Sequence, residues 1–197
     1  MQSSTESVTR ERDLNALSIL TVIVVLATVT MTFGAMIAIF LVRSHAPLFW
    51  GHIEIPAILW ITTTLLLASS LTFENARRRL LHRDQRGFFR LTAWTTGLGV
   101  LFLVGQLTAW LQIVRSGIVL ARNPHSGFIF LFTGLHGLHI VVGLAALAYL
   151  LYRTHEPASG PKYQMNTRAL VSGVSVFWHY LDFLWLVLFT LLLIWRR

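Results

Sequence analysis

Long runs of apolar residues alternate along the chain with short clusters of charged residues. The charges gather at the N-terminus, near 77–90, around 153–168 and at the C-terminal end. A helix needs about 20 mostly apolar residues to cross a bilayer core roughly 30 Å thick. The pattern predicts an all-α integral membrane protein, a single bundle over 14–197 that follows a polar segment at 1–13. The five predicted transmembrane helices lie at about 14–42, 55–76, 88–114, 126–152 and 169–195.

The composition agrees with a membrane protein and excludes several other classes. The chain is 55% hydrophobic and 12% charged, about half the charged share of an ordinary soluble domain. Its net charge of +8 comes from basic residues beside predicted helix ends rather than from a basic face with interleaved aromatics. That arrangement suits lipid head groups and no nucleic acid. Because there is no cysteine, disulfides, thiolate metal sites and a cysteine nucleophile are excluded.

The distribution of lysine and arginine predicts the orientation in the membrane. Short loops on the cytoplasmic side of a membrane protein carry an excess of these residues. Of the 16 in the chain, eleven fall on the side of the N-terminus and five on the other. We therefore expect a cytoplasmic N-terminus and a C-terminus outside, in the periplasm. The eleven are Arg10, Arg12, Arg77, Arg78, Arg79, Arg83, Arg86, Arg90, Arg153, Lys162 and Arg168.

Four ionisable residues fall at the middle of predicted helices, where polar side chains are costly and informative. His136 and His139 lie on the fourth helix, and His179 and Asp182 on the fifth. Each pair has the spacing i, i+3, which places both members on one helix face. If the faces meet, Asp182 accepts a hydrogen bond from an imidazole N–H, and the four residues form a structural polar clamp.

Two other interpretations of these four residues stay open: a proton or ligand path, and metal or haem ligation. A metal site needs convergent ligands and usually carboxylates behind them, whereas Asp182 is the one acidic residue at this depth. No Ser-His-Asp order, glycine-rich phosphate loop or paired carboxylates point to a catalytic site. We therefore predict no catalytic, cofactor-binding or metal-ligating residue in this chain.

Further positions suggest lipid contact or close helix packing. Glu74 and Asn75 precede Arg77–Arg79 at the end of the second helix, and favour an interfacial ion pair or head-group binding. Glu74, Arg77 and Trp60 are the candidate lipid contacts. Most of the seven tryptophans are expected to anchor helix ends at the interface, with burial in the bundle as the alternative for Trp110 and Trp178. Small residues let helix backbones approach in lipid, and they recur at Gly97, Gly99 and Gly105, and at Thr133, Gly134, Gly137 and Gly143.

Several of these positions lie in segments that resemble a known family. Residues 133–143 read TGLHGLHIVVG and are similar to the TGxHGxHVxxG segment of subunit III of haem–copper oxidases. Residues 177–189 read FWHYLDFLWLVLF and resemble that family's YWHFVDVVWLxLF signature. Weaker matches precede them in the same order, over about 14–195 in all: Glu54-Ile55-Pro56, Leu59-Trp60, the stretch 66–72, Gly105-Gln106 and Ala109-Trp110.

The resemblance implies a function that composition and spacing do not. It implies a non-catalytic accessory subunit of a respiratory terminal oxidase, in the short five-helix form, in the inner (plasma) membrane of a prokaryote. Haem and copper are then expected in partner subunits, with subunits I and II as partners and phospholipid bound. Such a subunit supports turnover stability and sustained proton uptake of the catalytic subunit. Cytochrome c and quinol both stay open as the electron donor.

One departure from the family pattern concerns the first long helix. The family usually carries a membrane-embedded glutamate there, and aligning Gly34-Ala35 places that position at or near Val29. A role of that glutamate in proton handling therefore does not transfer to this chain. The departure keeps a second hypothesis open, an accessory protein of a nitric oxide reductase. A stand-alone transporter using the His/Asp cluster is the third, and short loops without a broken helix disfavour it.

Overall fold

The computed structural model describes residues 2–44, 56–115, 124–155 and 161–194, with side chains described from Leu20, Gly127 and Thr167 in the first, fourth and fifth helices. The described residues are helical except at 56–57 and 82–84, with no strand among them, which confirms the predicted all-α class. The five helices are α1 (Gln2–Ser44), α2 (Ile58–Leu81), α3 (Gln85–Arg115), α4 (Pro124–His155) and α5 (Pro161–Ile194). Helix α5 begins eight residues before the predicted span because proline is well tolerated at the first helical position.

Four helices of the described chain are long and apolar enough to cross a membrane. These spans are Leu20–Arg43, Gln85–Arg115, Gly127–Thr154 and Thr167–Ile194. Helix α2, predicted as a fifth span, is not among them, since its threonines, serines and Glu74 lower its mean hydropathy. Three of these polar residues, Thr62, Thr63 and Ser69, are buried against neighbouring helices. These three polar side chains of α2 therefore lie inside the bundle rather than on its lipid-facing surface.

Helices α2 to α5 form a closed ring, in which each packs on the next and α5 returns to α2. Helix α1 lies outside this ring, mainly against α5 and to a smaller extent against α4. Its buried side chains Val29, Phe33 and Phe40 pack with α4 and α5, and the hydroxyls of Thr30 and Tyr180 lie 2.6 Å apart. Helix α5 thus packs on α2 and α4 within the ring and also joins α1 to it.

A tight turn joins α2 to α3. Arg83 adopts a left-handed φ of 62°, a conformation that commonly ends helices. The next residue, Asp84, caps α3 by accepting a 2.9 Å hydrogen bond from the backbone N–H of Gly87. Arg79 adds a 3.2 Å ion pair to the same carboxylate. The turn makes α2 and α3 antiparallel neighbours, and theirs is the most extensive contact between two helices in the described structure.

Candidate functional site: the seam between α2 and α5

Two tryptophans of α5 join that helix to α2 by hydrogen bonds, and we call this contact the seam. Trp178 Nε1 donates to Ser69 Oγ at 3.2 Å, and Trp185 Nε1 donates to Thr63 Oγ1 at 3.0 Å. Both indoles are fully buried. The interfacial position expected for Trp185 is therefore wrong, whereas Trp178 takes the buried position that was its alternative. A buried indole N–H needs an acceptor, and α2 supplies one to each ring.

Glycines make the space that the Trp178 ring occupies. A Cβ built on Gly99 of α3 would come 2.9 Å from Trp178 Cη2, and one built on Gly143 of α4 would come 2.9 Å from Cζ3. These distances are shorter than ordinary van der Waals contact. The predicted close packing at both glycines is confirmed, and the reason is one indole ring that reaches three neighbouring helices. At Gly97 there is no such contact within 4 Å.

His136 is fully buried in an aromatic environment. Its ring centroid lies 5.1 Å from that of Trp185 and 5.9 Å from that of Phe102. Neither ring nitrogen has a hydrogen-bond partner among the described residues. His136 therefore acts as a packing residue, and an unpaired buried polar group costs about 1–3 kcal/mol.

His139 is oriented within its own helix. Its Nδ1 donates to the backbone carbonyl of Leu135 at 2.7 Å, so the hydrogen lies on Nδ1, because a carbonyl oxygen only accepts. Its ring lies against Phe33 of α1, with centroids 5.8 Å apart. His139 thus faces α1 rather than the partners expected on α5.

His179 contacts α2 instead of α4. Its Nδ1 shares a hydrogen bond of 2.5 Å with the Ser70 hydroxyl, and its Nε2 lies 3.9 Å from Glu74 Oε2. The imidazole has an N–H and an acceptor nitrogen, so it can bind partners on both edges. The ring therefore bridges two polar residues of α2 that are one helical turn apart.

Asp182 is 5% exposed, and neither carboxylate oxygen has a hydrogen-bond partner among the described residues. The expected hydrogen bond from an imidazole N–H to this carboxylate is therefore not formed. Asp182 faces the seam, and α4 supplies no partner to it.

The four residues predicted as one clamp therefore lie in different environments. No hydrogen bond joins any two of them in the described structure; His179 and Asp182 belong to the seam, whereas His136 and His139 face aromatic rings. The polar residues that sequence reasoning missed are on α2: Thr63, Ser69 and Ser70. Thr63 and Ser70 are seven residues apart, which is two helical turns, so this spacing in the sequence indicates a polar stripe along one face of α2. Helix α2, not α4, is the polar partner of α5.

Metal ligation finds no support in this geometry. Among the described residues, no group of three or more His, Asp and Glu side chains is placed to hold a metal ion. The absence of a redox centre from the whole chain stays a prediction.

An ion cluster lies toward the C-terminal end of α2. Glu74 accepts hydrogen bonds from Arg77 Nε at 2.9 Å and Arg77 Nη2 at 3.1 Å, and from Arg78 Nε at 3.2 Å. The Glu74 carboxylate raises the pKa of the Arg77 guanidinium through this hydrogen-bonded pair. The ion pair expected from sequence is confirmed, and it lies beside His179.

Two other residues from the sequence analysis lie away from the seam's polar groups. Trp60 is 55% exposed and packs its ring edge on Phe189 at a centroid distance of 5.0 Å. Val29, at or near the position where the resemblance expects a glutamate, is buried in an apolar cluster with Phe33 and Leu188. Position 29 of α1 therefore makes apolar packing contacts and bears no charged group.

The sequence of the chain is similar to those of known membrane proteins. A family model described as cytochrome c oxidase subunit III matches residues 19–197. A cytochrome c oxidase subunit 3 of Thermostichus vulcanus is 29% identical over 137 residues, which is 70% of this chain and 65% of that protein. A cytochrome c oxidase subunit 3 of Corynebacterium diphtheriae is 30% identical over 138 residues, which is 70% of this chain and 65% of that protein.

A probable cytochrome c oxidase subunit 3 of Mycobacterium leprae is 32% identical over 130 residues, 66% of this chain and 62% of that protein. The chain thus spans a little less than two thirds of the length of these three relatives. The family model covers nearly the whole chain, and four described helices can cross a membrane. This multi-pass membrane protein belongs to the cytochrome c oxidase subunit III family.

Proposed function

We propose that this chain is a non-catalytic accessory subunit of a respiratory haem–copper terminal oxidase, in which oxygen reduction is coupled to proton translocation. The observation that carries the proposal is the family match over 19–197, which includes both C-terminal motifs. In the structure the residues of these motifs build the shared core: Trp178 and Trp185 are buried against α2, and Gly143 admits Trp178. The role is support of a catalytic partner, and subunits I and II, with their haem and copper, are the proposed partners.

The proposed membrane arrangement has five spans, with α2 as the fifth. Helix α2 has 24 residues, which is about 36 Å of helix and enough to cross the hydrocarbon core. Its buried threonines and Ser69 bond to α5 or to their own helix, so they are shielded from lipid. The N-terminus is cytoplasmic and the C-terminus periplasmic, in the inner membrane of a prokaryote, because this places most lysines and arginines inside.

The outer surface of the ring supports contact with lipid and with partner helices. Large apolar side chains such as Leu101, Leu131 and Phe183 are exposed on three helices. Soluble monomers rarely present apolar surface on this scale. We therefore assign these faces to the bilayer and to the catalytic subunit.

Glu74, Arg77 and Trp60 are proposed lipid contacts in opposite leaflets. Trp60 and Arg77 are 17 residues apart on one helix, which is about 25 Å, so a single head group does not touch both. Arg77 and Arg78 both bind Glu74, so part of their charge is balanced. Anionic phospholipid is the expected ligand at the Arg77 end, where cationic side chains adjoin the predicted cytoplasmic surface.

We propose a structural role for three of the polar residues at mid-membrane, each in a different place. His179 holds α5 to α2 through Ser70, and His136 fills space between Phe102 and Trp185. His139 stabilises the α1 side through Phe33. Polar contacts between membrane helices contribute about 0.6 kcal/mol each on average, so packing around the tryptophans dominates.

The test of the proposed function is a mild-detergent purification of the tagged chain from its native membranes. The expected result is a coloured complex with haem and copper in a partner subunit and with oxygen uptake. Reduction of nitric oxide instead of oxygen would assign the complex to the reductases. A colourless chain that purifies alone would contradict the proposal and favour a transporter.

A second experiment tests the accessory role itself. The complex is prepared with and without this chain, and its haem spectrum and activity over many turnovers are compared. We expect an unchanged haem spectrum and a faster loss of activity without the chain. A missing haem band would mean that this chain ligates the cofactor.

A further inference from the structure

One face of α3 is directed away from the ring. The exposed residues of this face lie at 86, 90, 93, 94, 97, 100, 101 and 104. They recur every three or four residues, which makes one continuous stripe along the helix, and buried residues such as Phe88 and Phe102 lie on the opposite face. In the described part of the chain α1 packs on α5 and α4 and does not contact α3. The stripe is therefore open to its surroundings over about five helical turns.

Two arginines occupy the N-terminal end of the stripe. Arg86 and Arg90 are one helical turn apart, and both are exposed. The carboxylates at this end of α2 and α3, Glu74 and Asp84, already pair with arginines of α2, and neither Arg86 nor Arg90 has an ion-pair partner among the described residues. Like charges at this spacing destabilise a helix, and the dipole at a helix N-terminus disfavours cations. An anion bound between the two guanidinium groups would relieve both effects.

Further along α3 the stripe becomes a shallow apolar groove with Gly97 at its floor. A Cβ built on Gly97 meets no atom within 4 Å. With 3.6 residues per turn, Trp94 and Leu101 lie on one side of Gly97 and Val100 on the other. Trp94 and Leu101 are 65% and 53% exposed, so their side chains rise on either end of one wall. The lack of a side chain at position 97 thus leaves room for a slender apolar group.

The charged and the apolar part of the stripe lie at different depths. The span that can cross the bilayer begins at Gln85, so Arg86 and Arg90 can extend their guanidinium groups to the head-group region. Gly97 is seven residues beyond Arg90, about 10 Å further along the helix, and lies at the level of the hydrocarbon. Trp94 lies between them, at the boundary where tryptophan is enriched in membrane proteins.

A phospholipid with a net negative charge matches both parts of the stripe. Its phosphodiester accepts hydrogen bonds from guanidinium groups with good geometry, and an acyl chain fits a groove with a glycine floor and apolar walls. An apolar partner helix would leave the charges of Arg86 and Arg90 unpaired at the membrane surface, and a free phosphate would not use the groove at Gly97. The combination therefore favours a lipid as the occupant.

We propose that the outward face of α3 binds one anionic phospholipid, with its phosphate between Arg86 and Arg90 and an acyl chain over Gly97. This site is separate from the proposed lipid contacts, which lie on α2. The lipid belongs to the cytoplasmic leaflet, which follows from the orientation in the proposed function. The site itself is complete on α3 and needs no catalytic partner.

The test uses phosphatidylglycerol that carries a photoactivatable group in one acyl chain. The full-length chain with its bound partners is reconstituted with this lipid in phosphatidylcholine bilayers, and cross-linked peptides are identified by mass spectrometry. The double variant Arg86→Gln/Arg90→Gln removes the charges, and Gly97→Leu fills the groove. Arg115→Gln, at the other end of α3, is the control for charge. Gly34→Leu, at an exposed glycine of α1 that also has no atom within 4 Å, is the control for volume.

In the wild type we expect cross-links to α3 between residues 93 and 104. The double arginine variant should reduce them by at least about tenfold, since each arginine near the membrane surface contributes about fivefold to the binding of an anionic lipid. Gly97→Leu should abolish them, whereas Arg115→Gln and Gly34→Leu should give the wild-type yield. A photoactivatable phosphatidylcholine should label this segment at least about tenfold less.

Several outcomes would overturn the proposal. One is wild-type labelling in the double arginine variant or in Gly97→Leu, and another is an equal loss in the two controls. Equal labelling by phosphatidylcholine would show an ordinary lipid contact without head-group selectivity. The absence of cross-links to this segment in the wild type would show that a partner helix covers the face. The accessory-subunit function is judged by copurifying haem, so either proposal can fail without the other.

Discussion

Trp178 donates its indole N–H to the hydroxyl of Ser69 at 3.2 Å, across 109 residues of chain. The bond lies at the centre of the ring, where the same indole contacts Gly99 of α3 and Gly143 of α4. Packing and hydrogen bonding of one side chain therefore hold four helices in register. Substitutions around this ring are the most direct tests of the fold.

The Trp178–Ser69 bond can be measured by a double-mutant cycle with Trp178→Phe, Ser69→Ala and the double variant. We expect a coupling free energy of about 0.6 kcal/mol and no more than about 1.7 kcal/mol, the average and the maximum measured by such cycles between membrane helices. Thermal unfolding of the complex in detergent gives the four stabilities. Additive effects, with no coupling, would mean that the indole N–H bonds elsewhere.

Gly99→Ala should destabilise the protein. A Cβ there would lie 2.9 Å from Trp178 and 2.8 Å from Leu144 Cδ2, and overpacking of this kind typically costs about 1–3 kcal/mol. That exceeds the gain of about 1 kcal/mol from replacing a helical glycine with alanine.

Gly97→Ala is the matched control, on the same helix and with no neighbouring atom within 4 Å of the added carbon. It should leave the unfolding temperature unchanged or raise it. Equal losses in both variants would show that the indole does not limit the space at position 99.

His136→Phe should keep or increase stability, whereas His136→Ala should lower it. Phenylalanine preserves the ring between Phe102 and Trp185 and removes two unpaired nitrogens, a burden of about 1–3 kcal/mol. Alanine leaves a cavity that costs about 2–5 kcal/mol. The unfolding temperatures of the two variants are compared with that of the wild type. If His136→Phe lowers the unfolding temperature as much as His136→Ala does, the imidazole has a hydrogen-bond partner.

Asp182→Asn should change the free energy of unfolding by less than about 1 kcal/mol, since no full hydrogen bond of the carboxylate is lost. The substitution tests the clamp expected from sequence. In a clamp the carboxylate holds an imidazolium, and removing one partner of a buried ion pair costs about 3–5 kcal/mol. A thermal unfolding curve of Asp182→Asn with a loss of that size would restore the clamp.

The sequence by itself determined the class of the protein, four of its membrane helices and its family. These properties are local, because the apolar length of a helix is set against the thickness of the bilayer. The TGLHGLHIVVG and FWHYLDFLWLVLF segments also carry the family resemblance without any knowledge of contacts. Hydropathy alone does not identify α2 as a span, because its threonines and serines lower its mean hydropathy. Only the structure shows that three of these residues, Thr62, Thr63 and Ser69, are buried in the ring.

Only the tertiary structure decided which polar groups meet. The i, i+3 spacing of His179 and Asp182 indicated a common face but not the helix that it faces. The expected partner was α4, and the structure provides Ser70 and Glu74 of α2. Likewise, the glycines indicated close packing, but not that Trp178 is the side chain packed there. The pairing of faces depends on how five helices share one core, and no local pattern in the sequence specifies that arrangement.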